Sequence, residues 1–217
     1  ASTTNSRPWK AASRSTASDG GQVQLARASL RTVPTGSPAR ETHVRTAGIS
    51  FGRALRVNSS LLTLHLGVCG LEAPSGFAIA EALSCNATLT RLDLESNPIG
   101  DEALCAICAA LETSTSLKET NLRYLQGELA AGLALARMLR ANRSLQKLHA
   151  CHNDFGPPVA AALVAAFTAG VAPDVINLYA CGFDDASKAE LRQAAMLGHR
   201  LRPSLEGDGS EEIVASS

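Results

Sequence analysis

Apolar residues return along this chain at a fixed interval of 28 positions. Leu61, Leu89, Leu117 and Leu145 share one column, which Pro173 ends. Further columns hold Leu64, Leu92, Thr120, Leu148 and Ile176, then Leu66, Leu94, Leu122, Ala150 and Leu178. Next come Cys69, Asn97, Leu125, Asn153 and Cys181, and last Leu71, Ile99, Gly127, Phe155 and Phe183. The alternation at the centre of this pattern predicts a short strand that ends in a tight turn.

The second half of each period has its own columns. Phe51, Ile79, Ile107, Leu135, Leu163 and Leu191 align, as do Leu55, Leu83, Leu111, Leu139, Phe167 and Ala195. Such apolar pairs one helical turn apart, set among alanines, predict an amphipathic helix packed closely on its neighbours. Asn58, Asn86, Ser114, Asn142 and Gly170 form a stop column. Asn and Gly tolerate the left-handed conformation that closes a helix, and that is the role expected here. The pattern yields six helices and five strands between about residue 47 and residue 198. A fixed period means a stack of units, each touching its neighbours, rather than a globule around one core.

The run from Asn86 to Leu111, NATLTRLDLESNPIGDEALCAICAAL, resembles one unit of a ribonuclease-inhibitor-type leucine-rich repeat. Similar repeats occur at the C-terminal end of NOD-like receptors and in the GTPase activators of the Ran family. Thr120, Leu125 and Gly127 make the third unit depart from the pattern. The resemblance implies an α/β solenoid, a horseshoe with a parallel sheet on the concave side and helices on the convex side. The periodicity supports that arrangement independently, because parallel strands need a crossover helix.

Charge divides the chain. Residues 1–46 read as a basic, Ser/Thr-rich arm without apolar periodicity, disordered on composition. With Ala47 included, the arm holds seven Arg or Lys against Asp19 and Glu41. Residues 47–198 form the repeat domain, and 199–217 an acidic tail carrying Glu206, Asp208, Glu211 and Glu212. The repeat body is near neutral, which argues against nucleic acid as a partner. No apolar stretch approaches the ~20 residues of a membrane span, so no membrane insertion is expected. The expected compartment is the cytoplasm, or an organelle if the arm is a targeting segment.

Six cysteines raise metal and disulfide chemistry, and the register answers most of it. Cys69 and Cys181 stand in the Asn column, where either side chain can donate inside the turn. Cys105 and Cys108 form C-x-x-C within a helix, without the second ligand pair a zinc site needs. Reduced thiols and no metal or other cofactor are expected. Catalysis is not expected either. His65 and His149 lie three strands apart, roughly 14 Å, too far to share a metal or a proton. Cys151 and His149 share a face but have no orienting group or oxyanion pocket.

The outward strand positions offer a surface instead. Arg91, Asp93 and Glu95, then Glu119, Asn121 and Arg123, then Lys147 and His149, and finally Tyr179 line the expected concave face. Adjacent strands bring Arg91 beside Glu119 and Glu119 beside Lys147, a ladder of alternating sign. Mixed charge with Tyr124, Tyr179 and Arg123 as anchors suits protein recognition. The expected function is a non-catalytic protein-protein interaction module or scaffold, alone or within a larger assembly. The partner would use the concave face or the basic arm. The alternative is a GTPase-activating protein resembling the Ran type, suggested by the repeats and the acidic tail.

Overall fold

The computed structural model describes residues 22–24, 38–169 and 173–197. Strands and helices alternate: β1 (Gln22–Gln24), α1 (Pro38–Val57), β2 (Thr63–His65), α2 (Ala73–Leu83), β3 (Arg91–Asp93) and α3 (Asp101–Thr113). Then come β4 (Glu119–Asn121), α4 (Leu129–Ala141), β5 (Lys147–His149), α5 (Pro158–Thr168), β6 (Val175–Asn177) and α6 (Asp185–Leu197). The strands form one parallel sheet in sequence order, with the helices as a second layer. Register follows the repeat: Leu64 pairs with Leu92, Leu92 with Thr120, Thr120 with Leu148 and Leu148 with Ile176. This is the expected leucine-rich repeat solenoid.

The core is a row of slabs between sheet and helices. Each slab is built from the columns of the sequence, for instance Leu92, Leu94, Ile99, Ile107 and Leu111, all buried. The third unit departs from the pattern but is repaired from its neighbour. A Cβ on Gly127 would sit 2.6 Å from Leu104 Cδ2. Leu104 occupies a helix column that holds Gly48, Gly76, Gly132 and Ala160 in the other units up to α5, and Lys188 in α6. Bulk missing at Gly127 is therefore supplied by Leu104, as close packing requires.

Two expectations need correction. The boundary at residue 47 falls inside α1, and Gln22–Gln24 pairs in parallel with β2 inside the segment read as an arm. Backbone pairing needs no leucine, so a strand without the apolar columns escapes a reading by hydrophobic period. The stop column also works differently. Ser114 and Asn142 follow their helices in extended conformation, with ψ of 131° and 138°. The asparagines act through their amides instead. Asn142 Nδ2 donates to Leu111 O at 2.6 Å and Ser114 O at 3.1 Å, and its Oδ1 accepts from Ser144 N and Leu145 N. Asn86 does the same for the unit before, with Leu55 O, Asn58 O, Thr88 N and Leu89 N. A column of left-handed residues lies instead in the strand-exit turn: Val68, Ser96, Tyr124, His152 and Ala180, with φ between 51° and 58°.

Candidate interaction surface on the concave face

The turn that ends each strand is fixed from inside by the Asn column. Asn97 Nδ2 donates to Leu94 O and to Leu66 O of the preceding unit, and Oδ1 accepts from Cys69 N and Leu71 N. Asn153 makes the equivalent set with Ala150 O, Leu122 O, Leu125 N and Gly127 N. Cys181 has only a thiol to offer, and it donates to Ala150 O at 3.3 Å. Burial pushes that thiol up to about 12. Cys69 donates to Gly67 O at 3.5 Å. The reading of this column as an internal donor holds.

The outward positions form rows across the sheet. Arg91 Nε lies 3.3 Å from Glu119 Oε2, and register sets Lys147 opposite Glu119. In the next row His65 Nδ1 lies 3.4 Å from Asp93 Oδ2, followed by Asn121 and His149, both half-buried. In the third row Glu95 accepts from Asn121 Nδ2 at 3.0 Å and pairs with Arg123 at 3.9 Å. The charges of this face are therefore largely engaged with one another. Arg91–Glu119, Asn121–Glu95 and Arg123–Glu95 all bridge the same two strands, β3 and β4.

Aromatic residues dominate the strand-exit edge. The Tyr124 and His152 rings stack with centroids 4.1 Å apart, and Tyr179 meets His152 edge-on at 5.3 Å. The Arg123 guanidinium carbon lies 5.9 Å from the Tyr124 centroid. Tyr124 and His152 occupy the left-handed turn column, so the repeat itself aims their side chains alike. Burial, and then the neighbouring Arg123 charge, hold the His152 imidazole below its usual value. His152 was not among the expected site residues, although its spacing from Tyr124 was a readable signal. Tyr179 and Arg123 come together here, whereas Arg91 and Lys147 lie in the row at the opposite end of the strands.

Cysteine chemistry finds no support in this geometry. Cys151 is fully buried, and burial raises its thiol away from the thiolate form a nucleophile needs. Burial raises both Cys105 and Cys108 as well. All six cysteines are free thiols. Among the described residues no His, Cys, Asp and Glu side chains gather into a group able to hold a metal ion. No helix there is long and apolar enough to cross a membrane.

Known proteins share this architecture. The Leucine Rich repeat family matches residues 85–108. Ribonuclease inhibitor of Sus scrofa is 29% identical over 172 residues, covering 65% of this chain and 38% of that protein. The repeats are leucine-rich repeats and are similar to those of ribonuclease inhibitor. Leiomodin-3 of Homo sapiens is 34% identical to this leucine-rich repeat chain over 103 residues, 46% of the chain. NACHT, LRR and PYD domains-containing protein 12 of Homo sapiens is 35% identical over 97 residues, 44% of the chain. The leucine-rich repeat chain spans only 18% of that leiomodin and 9% of that NACHT protein. A solved structure, Leiomodin-1 Actin-Binding Site 2, superposes with a TM-score of 0.56 at 15% identity. It covers 76% of this chain, and 91% of that chain is covered in turn. Residues 1–21 and 25–37 of the basic arm and the acidic run Glu206 to Glu212 lie outside the described residues.

Proposed function

We propose that the chain is a non-catalytic scaffold, alone or as a subunit of a larger assembly, that binds a protein partner at the strand-exit edge of its concave face. The observation that carries this reading is the Tyr124–His152–Tyr179 stack beside Arg123, with Tyr124 still 43% exposed. Aromatic and Arg side chains held by rigid backbone supply contact area at low entropic cost, which is what binding hot spots have in common. Arg91, Asp93, Glu95, Glu119, Asn121, Lys147 and His149 would extend the contact along the floor of the sheet. The solved structure of like fold is an actin-binding site of leiomodin-1, so actin is the first named protein to try.

The test compares the wild-type chain with a Tyr124→Ala/Tyr179→Ala variant. Both are immobilised, exposed to extract from the source and, separately, to purified actin. Quantitative mass spectrometry should show a small set of proteins depleted more than tenfold on the variant. Equal recovery of every protein by both would remove the concave edge as the docking site. Tyrosines are preferred to the charges here because Glu95, Glu119 and Arg123 also bridge strands, so their reversal would mix binding with stability.

A further inference from the structure

The outer face of the helix layer is unlike that of a solvated helix. α5 reads PVAAALVAAFT, without one charged side chain, and Pro158, Ala161 and Ala165 are exposed on it. Beside it, α4 turns Leu129 and Leu133 outward, 46% and 40% exposed. A helix on the outside of a layer ordinarily carries polar residues there, and a contiguous apolar patch marks an interaction site. The patch has charged ends of opposite sign. At the N-terminal end of α4 stands exposed Glu128, and at its C-terminal end exposed Arg137 and Arg140. Arg137 lies 3.4 Å from Glu112, whereas Arg140 has no ion pair among the described residues.

We propose that this face pairs with the same face of a second copy of the chain. The two helix layers meet about a two-fold axis running across the helices at the level of Leu133 and Ala161. That operation sets each α4 antiparallel to α4 of the second copy, with Leu133 against Leu133. Glu128 of each copy then faces Arg140 of the other, and the charges match twice over. A surface that is complementary to itself in this way is what a closed, isologous dimer requires. The alanines of α5, weak anchors for an unlike partner, suit this pairing, because methyl groups let two helix backbones approach closely. Antiparallel helix dipoles add to the match rather than oppose it. The concave edge faces away from this contact and stays available to another protein.

Light scattering and analytical ultracentrifugation of the full chain, from about 1 to 300 µM, test the proposal over the range expected for a modest interface. A mass of two copies at the upper end, falling towards one on dilution, is expected. Leu133→Arg should weaken association more than tenfold while leaving circular dichroism unchanged, since the side chain is exposed in the monomer. Arg140→Glu alone should weaken it about tenfold, and adding Glu128→Arg should restore it to within about threefold. A single-copy mass at every concentration overturns the proposal. So does a dimer indifferent to Leu133→Arg, or a charge swap that fails to rescue. Loss of partner binding in the Tyr124/Tyr179 variant with dimerisation intact separates this inference from the proposed function.

Discussion

The imidazole of His152 lies flat on the phenol ring of Tyr124, 4.1 Å between centroids and 9° between planes. Burial, and secondarily Arg123, lower its pKa below the ordinary 6.5. The folded chain thus favours the neutral ring. The contribution is present above the unfolded value and fades as pH falls through about 6.5 and below. NMR titration should place His152 below 6.5 in the wild type. In Arg123→Gln the value should move up but stop short of 6.5, because burial is the larger cause. No movement, or a downward one, would contradict the assignment.

Thr120 stands in a leucine column, fully buried, and its hydroxyl has no hydrogen-bond partner. A buried unsatisfied hydroxyl costs about 1–3 kcal/mol. Thr120→Val keeps the shape and removes that penalty, so chemical denaturation should show a gain of about 1 kcal/mol. A loss would mean that the hydroxyl is satisfied in solution.

Asn153 and Asn121 separate the two kinds of asparagine. Asn153→Ala strips partners from four buried backbone groups and should cost about 3–5 kcal/mol. Asn121→Ala, on the half-exposed face, should cost less than about 1 kcal/mol. Equal costs would mean that the turn does not depend on the Asn column.

Leu94 and Asp93 test the register in the same way. Leu94 is completely buried, and Leu94→Ala should cost about 2–4 kcal/mol. Asp93 is half-buried and meets His65 at 3.4 Å, so Asp93→Ala should cost about 0.5–1 kcal/mol. Urea denaturation of both variants decides the matter.

Most of the fold could be read from the chain because each slab obeys one rule, an apolar side chain at a fixed place in every period. The five later strands and the helices that follow them were legible for that reason. β1 was not, since Gln22, Val23 and Gln24 pair through backbone atoms that every sequence carries. The role of Asn86 and Asn142 was misread because a left-handed stop and an amide bridge favour the same residue type. Leu104 filling the space over Gly127 joins two different columns, and a reading column by column is blind to such a trade. On the candidate surface, Arg91 and Glu119 met as register required. His152 lies off the strands, in the turn column, which the repeat directs just as firmly.

The third unit has one more consequence. Buried amides tie unit two to unit one through Asn86 and Asn97, and unit four to unit three through Asn142 and Asn153. Between β3 and β4 the equivalent positions hold Ser114 and Leu125. Beside the backbone ladder, the side chains that cross there include Arg91–Glu119, the Glu95 contacts with Asn121 and Arg123, and Asp101 accepting from Glu128 N at 2.6 Å and Ala131 N at 3.0 Å. These groups sit at the surface, within reach of counterions, whereas the amides elsewhere do not. Ionic strength therefore acts more on this joint than on those that the buried amides bridge. Concentrated salt should loosen this joint more than its neighbours, while the backbone ladder and the buried core keep the two halves of the stack joined.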